Sequence, residues 1–174
     1  MMNWLRSNMY ASGILVLLRL YLGFQWFKSG FGKITDGFDA SGFMGFIAQN
    51  PVKGADGSVA YPLYNAFIEN VALPNAEIFN VLVPWGELLI GLGLILGTLT
   101  TAAAFFGLLM NFTFVLGGTV STNPTFILLG FIILVAGANA GRFGGDYWVI
   151  PWIRKNLFKK KDLQFTSETH KLSA

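Results

Sequence analysis

Four long apolar runs, separated by short polar links and one long one, set the rhythm of this chain: about residues 10–34, 78–98, 100–119 and 125–141. Each approaches the roughly 17–25 residues a helix needs to span a hydrocarbon layer. The second run meets the third at "TLTT", and the third meets the fourth at "VSTNPT", where Asn123-Pro124 is a turn signal. Links this short force antiparallel neighbours. The connection 35–77 is far longer. It places Phe43, Phe46 and Ile47, then Leu63, Phe67 and Val71, at approximately helical spacing. The pattern predicts two short amphipathic helices on the rim of a bundle. The expected fold class is an all-α membrane protein: a four-transmembrane-helix antiparallel bundle with an extracytoplasmic helical cap. Residues 1–150 form the membrane domain of this expectation, and 151–174 a basic cytoplasmic tail.

Composition agrees with lipid as the solvent. The 174 residues are 53% hydrophobic and 12% charged, about half the charge usual for a soluble domain. Charge also orients the chain. Loop 35–77 holds Lys53 against Asp36, Asp39, Asp56, Glu69 and Glu77. The stretch from 142 carries Arg142, Arg154, Lys155, Lys159, Lys160, Lys161 and Lys171, and Arg6 precedes the first run. By the excess of Lys and Arg on cytoplasmic loops, both termini are expected in the cytoplasm and loop 35–77 outside, in a bacterial plasma membrane. Four spans satisfy that parity. The first run is interrupted by Arg19 and continues to Lys28 and Lys33 without a small-x-small site, so a cleaved signal peptide is not expected. With no cysteine in the chain, disulfides, thiolate-bound zinc, iron–sulfur clusters and cysteine nucleophiles are excluded. The lone histidine, His170, lies in the polar tail, and no metal site is expected.

The charges inside the apolar runs carry the candidate chemistry. Arg19 and Glu87 each lie about nine residues into their runs, roughly 13 Å deep at ~1.5 Å per residue. An unpaired Arg at a bilayer centre costs about 2.5–3.5 kcal/mol, so the two are expected to pair. Arg19, Gly23, Trp26, Gly30 and Lys33 share one helical face, and Asn80, Pro84, Glu87, Gly91 and Leu94 share another. Lys28 lies half a turn from Arg19 and is placed to snorkel. The structural alternative is a buried ionic clasp that fixes helix register. The functional alternative is a polar-ligand site, with Arg19 donating to a quinone carbonyl and Glu87 exchanging a proton. In that case Trp26, Lys28, Trp85 and Asn111 are the further contacts, with Phe27 and Phe112 as apolar walls. Ordinary aromatic packing and an interhelical hydrogen bond from Asn111 are the bland counterparts.

Other signals point away from soluble ligands. "GLGLILG" (91–97) imitates a dinucleotide fingerprint but has no preceding strand. Gly93 and Gly97 make a small-xxx-small surface for close helix contact. The sequon "NFT" (111–113) lies within an apolar run, where glycosylation has no access. Lys159–Lys161 reads as a topology anchor, and nucleic-acid binding has no further support.

"RLYLGFQWFKSGFGK" resembles the opening signature of the DoxX family, an Arg-Leu-x-x-Gly run followed by Gly-x-x-Lys, here Arg19, Leu20, Gly23, Gly30 and Lys33. "GELLIGLGLILGTLTTAAAFFGLLMN" resembles its second and third helices, with Glu87 at the Glu position and Gly-x-x-Thr at 97–100. "GRFGGDYW" resembles the closing Gly-Arg-x-x-x-Asp element, giving Gly141, Arg142 and Asp146. Arg142 and Asp146 are expected to pair across one helical turn. The long outer loop is similar to the DoxD-like branch, the membrane subunit of thiosulfate:quinone oxidoreductase. That resemblance implies electron transfer from a sulfur or thiol donor to a quinone (menaquinone or ubiquinone), with an extracytoplasmic partner subunit. The alternative is a non-enzymatic membrane scaffold or accessory protein that docks partners through loop 35–77. A transporter fits less well, since no internal repeat is visible, and a homo-oligomer would be needed to build one.

Overall fold

Leucine, alanine, glycine and phenylalanine dominate the long apolar runs, and all of them fold as helix. The computed structural model describes residues 2–158; the expectations for Lys159–Lys161, Lys171 and His170 lie outside the described residues. Among the described residues there is no strand, only an isolated antiparallel bridge between Lys53 and Val59. The helices are α1 (Met2–Ser7), α2 (Met9–Asp36), α3 (Ala40–Gln49), α4 (Pro62–Phe67), α5 (Ala76–Leu96), α6 (Thr100–Leu116), α7 (Asn123–Ala136) and α8 (Asp146–Ile153). The four apolar runs correspond to α2, α5, α6 and α7, the last prolonged by a 3-10 turn, Gly137–Asn139. Helix α2 packs most extensively on α5, α5 on α6, α6 on α7, and α7 returns to α2. The four therefore close a ring around one core, which includes Leu15, Leu22, Trp26, Ile90, Leu94 and Ile133. Two helical stretches, Met9–Asp36 and Pro62–Leu96, are long and apolar enough to cross a membrane, while Thr100–Leu116 and Asn123–Asn139 are shorter apolar helices.

The second stretch corrects the loop. Helix α4 does not end in a connection: it runs through a π turn (Ile68–Ala72) and a 3-10 turn (Leu73–Asn75) directly into α5. Leu63, Phe67 and Val71, the apolar positions of the predicted rim helix, are 88%, 43% and 48% exposed. Ile68 and Ala72 are buried instead, in a satellite cluster with Ala40, Met44 and Ile47 of α3. Of the apolar positions predicted for the first rim helix, Phe46 is exposed. Asp39 caps α3 by accepting from Ser41 N at 2.9 Å and Ser41 Oγ at 2.7 Å. Those bonds hold its carboxyl below the ordinary carboxylate range. The cap is therefore complete above the ordinary Asp value of about 3.9 and is lost as pH falls through the lowered one.

Glycine sets how closely α2 and α5 approach. A Cβ on Gly30 would lie 2.7 Å from the Pro84 carbonyl and 2.9 Å from Leu88 Cα; one on Gly91 would lie 2.6 Å from Phe27 Cα. Backbone atoms cannot move aside as a flexible side-chain tip can, so these helices meet backbone to backbone. The contacts also define the register. Gly23 meets Leu94 and Ile95, Phe27 meets Gly91, and Gly30 meets Pro84 and Leu88. As numbers rise along α2 they fall along α5, as an antiparallel pair requires.

Candidate functional site

That register separates the two charges expected to meet. Arg19 is level with the last turn of α5, and its guanidinium donates to the carbonyls of Leu94 (2.8 Å), Ile95 (3.0 Å) and Phe143 (2.6 Å). Glu87 lies seven residues back along α5, about 10 Å at ~1.5 Å per residue, and accepts from Lys33 Nζ at 2.6 Å. The Arg19–Glu87 pair is thus corrected: each charge is buried, but against a different partner. The expectation equated depths measured from opposite ends of two antiparallel helices. It overlooked that α2 extends at both ends and that α5 stops at Leu96, bringing its open carbonyls to Arg19.

The chemistry at Arg19 is that of a helix C-terminus. The last carbonyls of an α-helix lack intrahelical donors, and the helix dipole places partial negative charge there. Hydrogen bonds to a charged group contribute about 1.5–3 kcal/mol each, so three of them offset the ~2.5–3.5 kcal/mol cost of burying the cation. Gly97 ends α5 in the left-handed region at φ 63°, and a Cβ there would lie 2.6 Å from Arg19 Cζ. Glycine is required for both conformation and space.

Asp146 completes this end of the bundle. Its carboxylate accepts from Leu99 N (2.6 Å) and Thr100 N (3.1 Å), capping α6, while its own N–H donates to Gly97 O at 2.7 Å. Leu99 sits at φ 51°, a strained conformation for a leucine that the carboxylate bond holds in place. The expected Arg142–Asp146 ion pair does not form. Arg142 is exposed and donates only weakly to Ser7 O at 3.4 Å. All three sequence elements, Arg19, Gly97–Thr100 and Gly141–Asp146, converge on this clasp. Asp146→Ala is expected to cost about 1–2 kcal/mol, the usual worth of an N-cap. Asp146→Asn, which keeps one acceptor, should cost less; thermal unfolding in detergent measures both.

The second polar centre lies toward the other end of α2. Glu87 is 1% exposed. Lys33, with a side chain 27% exposed, bridges it to Ser29 Oγ at 2.6 Å. This is the one ion pair among the described residues. Two turns along the same face of α2, Trp26 is 4% exposed and its Nε1 has no hydrogen-bond partner. That nitrogen packs 3.5 Å from the Cβ position of Gly107, one helical turn before Asn111. Asn111 is 1% exposed, and its Oδ1 also has no partner. An unused donor and an unused acceptor therefore lie buried near one another's level. The remaining candidates face outward: Trp85 is 51% exposed and Lys28 is exposed, so neither enters the bundle interior.

Sequence reasoning missed a third polar contact. Asn139 donates to Leu5 O (2.8 Å) and Asn8 O (3.0 Å), and accepts from Ser12 Oγ at 2.6 Å. It ties the α1–α2 corner to the end of α7. A lone Asn in "VAGANAG" was the only signal.

A ring of apolar helices with charges buried between them, two of its stretches long and apolar enough to cross a membrane, defines the class of all-helical protein to which the chain belongs. The DoxX family model matches residues 14–122, well over half of the chain. The protein belongs to the DoxX family. No curated protein and no solved structure matches the chain.

Proposed function

We propose that α2, α5, α6 and Asn123–Asn139 are four antiparallel membrane spans, with α3 and α4 forming a cap outside, and that the protein is the quinone-interacting membrane subunit of an oxidoreductase. The 17 residues of α6 match the lower limit of about 17 for a spanning helix. The reaction is two-electron reduction of a quinone to a quinol with uptake of two protons. Electrons come from a thiosulfate or thiol donor through an extracytoplasmic partner subunit, as in the DoxD-like branch. The carrying observation is Glu87, a buried carboxylate bridged by the partly exposed Lys33. Ionisable groups within spans mark ligand or proton paths, and this pair leads from the outer surface into the bundle. Trp26 Nε1 and Asn111 Oδ1 supply a donor and an acceptor suited to a quinone carbonyl and a quinol hydroxyl. Arg19, with three carbonyl partners, serves assembly in this reading, and the head group is assigned to Glu87, Lys33, Trp26 and Asn111.

Lipid extraction from protein purified in mild detergent tests the site. Wild type is expected to carry menaquinone or ubiquinone near one per chain, and Glu87→Gln and Trp26→Phe to lose most of it while remaining folded. A folded wild-type preparation without quinone would overturn the reading.

The exposed apolar residues of α4 and its continuation, Leu63, Phe67 and Val71, favour a second reading: a scaffold that docks partner proteins through its cap. Polar substitution of these three should then abolish partner recovery and leave quinone content unchanged.

A further inference from the structure

The α8 end of the molecule carries a feature that the quinone reading does not use. Arg142, Phe143, Gly144, Tyr147 and Trp148 line an open groove of about 370 Å³. Tyr147, Trp148 and Trp152 are 67%, 70% and 65% exposed, an unusual display for large aromatic rings. Trp148 and Trp152 are four residues apart and share one face of α8. Charge flanks this helix on both sides: Arg142 precedes it and Arg154 and Lys155 follow it, all exposed. The nearby carboxylate, Asp146, is buried with both oxygens engaged by Leu99 N and Thr100 N. The outward charge of this end is therefore positive.

We propose that this groove binds an anionic phospholipid of the adjoining leaflet. The Arg142 guanidinium takes the phosphate, Arg154 and Lys155 strengthen the local field, and the rings of Phe143, Tyr147 and Trp148 lie against the glycerol and upper acyl segments. Exposed Trp and Tyr concentrate where apolar chain meets polar head group, and clustered Arg and Lys recognise anionic lipid head groups. The Arg142 guanidinium is available for this role because its one hydrogen bond among the described residues, to Ser7 O, is long at 3.4 Å. An acidic protein partner would match the charge and the rings as well; the position of the groove at the end of the apolar helix ring favours lipid, and the binding test separates the two.

The test uses the full chain in detergent, with phosphatidylglycerol, phosphatidylcholine or inorganic phosphate added. It reads bound lipid by native mass spectrometry and the midpoint of thermal unfolding. Wild type should retain phosphatidylglycerol and melt several degrees higher with it than with phosphatidylcholine. The variant Arg142→Gln/Arg154→Gln/Lys155→Gln should bind phosphatidylglycerol roughly tenfold or more weakly, at the strength usual for such charges. It should melt as wild type does in phosphatidylcholine. Arg142→Lys, which keeps the charge, should retain most binding and covers the case in which the triple variant fails to fold. Equal stabilisation by both lipids, an equal shift from inorganic phosphate, or co-purification of an acidic protein in place of lipid would each overturn the proposal. It rests on membrane association and not on the quinone reading, because quinone content should be unchanged in these variants.

Discussion

Arg19→Leu is expected to remove the folded protein rather than to weaken a single contact. The guanidinium satisfies two carbonyls at the end of α5 and one in the 141–146 segment. Leucine fills part of the volume and satisfies none of them. Three charged hydrogen bonds are lost, and one buried and two part-buried carbonyls are left unpaired, so the loss is about 3–5 kcal/mol. That is a large share of the stability of an ordinary domain, ~5–15 kcal/mol. Arg19→Lys keeps the charge but, as a single ammonium on a flexible stem, cannot reproduce the planar fork. It should recover only part of the loss. The measurement is the fraction of monodisperse protein after heating in detergent, followed for wild type and both variants. Wild-type behaviour in Arg19→Leu would show that the carbonyl network does not hold this end of the bundle together.

Lys33→Met should be comparably damaging for the opposite reason. It preserves apolar volume on α2 but leaves the Glu87 carboxylate, 1% exposed, without its cation. Breaking a buried pair by removing one partner costs about 3–5 kcal/mol. The reverse change, Glu87→Met, should be milder, because Lys33 is partly exposed and can carry its ammonium toward water. The asymmetry itself is diagnostic. A harmless Lys33→Met would show that the ion pair with Glu87 does not hold this part of the bundle together.

Much of the architecture was legible in the residues, and the failures have specific causes. Run length and link length located α2, α5, α6 and α7 because an apolar helix of this size leaves an uninterrupted signature. The inward stripes were legible as well: Gly23, Trp26 and Gly30 on α2 and Pro84, Gly91 and Leu94 on α5 are all buried, while Lys33 and Asn80 at the stripe ends are half-buried. Axial register was not, because helical phase says which face a residue occupies and nothing about its level against a neighbour. The spacing of Gly23 and Gly30 against Gly91 would have been the better guide, since only glycine permits the backbone contacts that fix the level. Lys33 lay on the same stripe as Arg19 and was the available partner for Glu87. In α4 and its continuation the four-residue period held but the face did not: Tyr64, Ile68 and Ala72, each one position beyond Leu63, Phe67 and Val71, turn toward α3, and both faces carry apolar residues. Asp146 was singled out as half of a local ion pair, whereas its partners are the backbone N–H groups of Leu99 and Thr100. Backbone acceptors and donors at helix ends leave no mark in a sequence. For that reason Arg19 pointed to a carboxylate when carbonyls were its partners.

The buried charges sort into two independent centres, Arg19 with its carbonyls and Glu87 with Lys33. The direct measurement is a pair of double-mutant cycles on unfolding free energy in detergent, one for Lys33→Met with Glu87→Met and one for Arg19→Lys with Glu87→Met. The first cycle should show strong coupling, with the double variant recovering more than about 1 kcal/mol over the sum of the singles. The second should be additive within about 0.5 kcal/mol, as for residues without a shared partner. Additivity at 33/87 together with coupling at 19/87 would contradict the register and everything built on it.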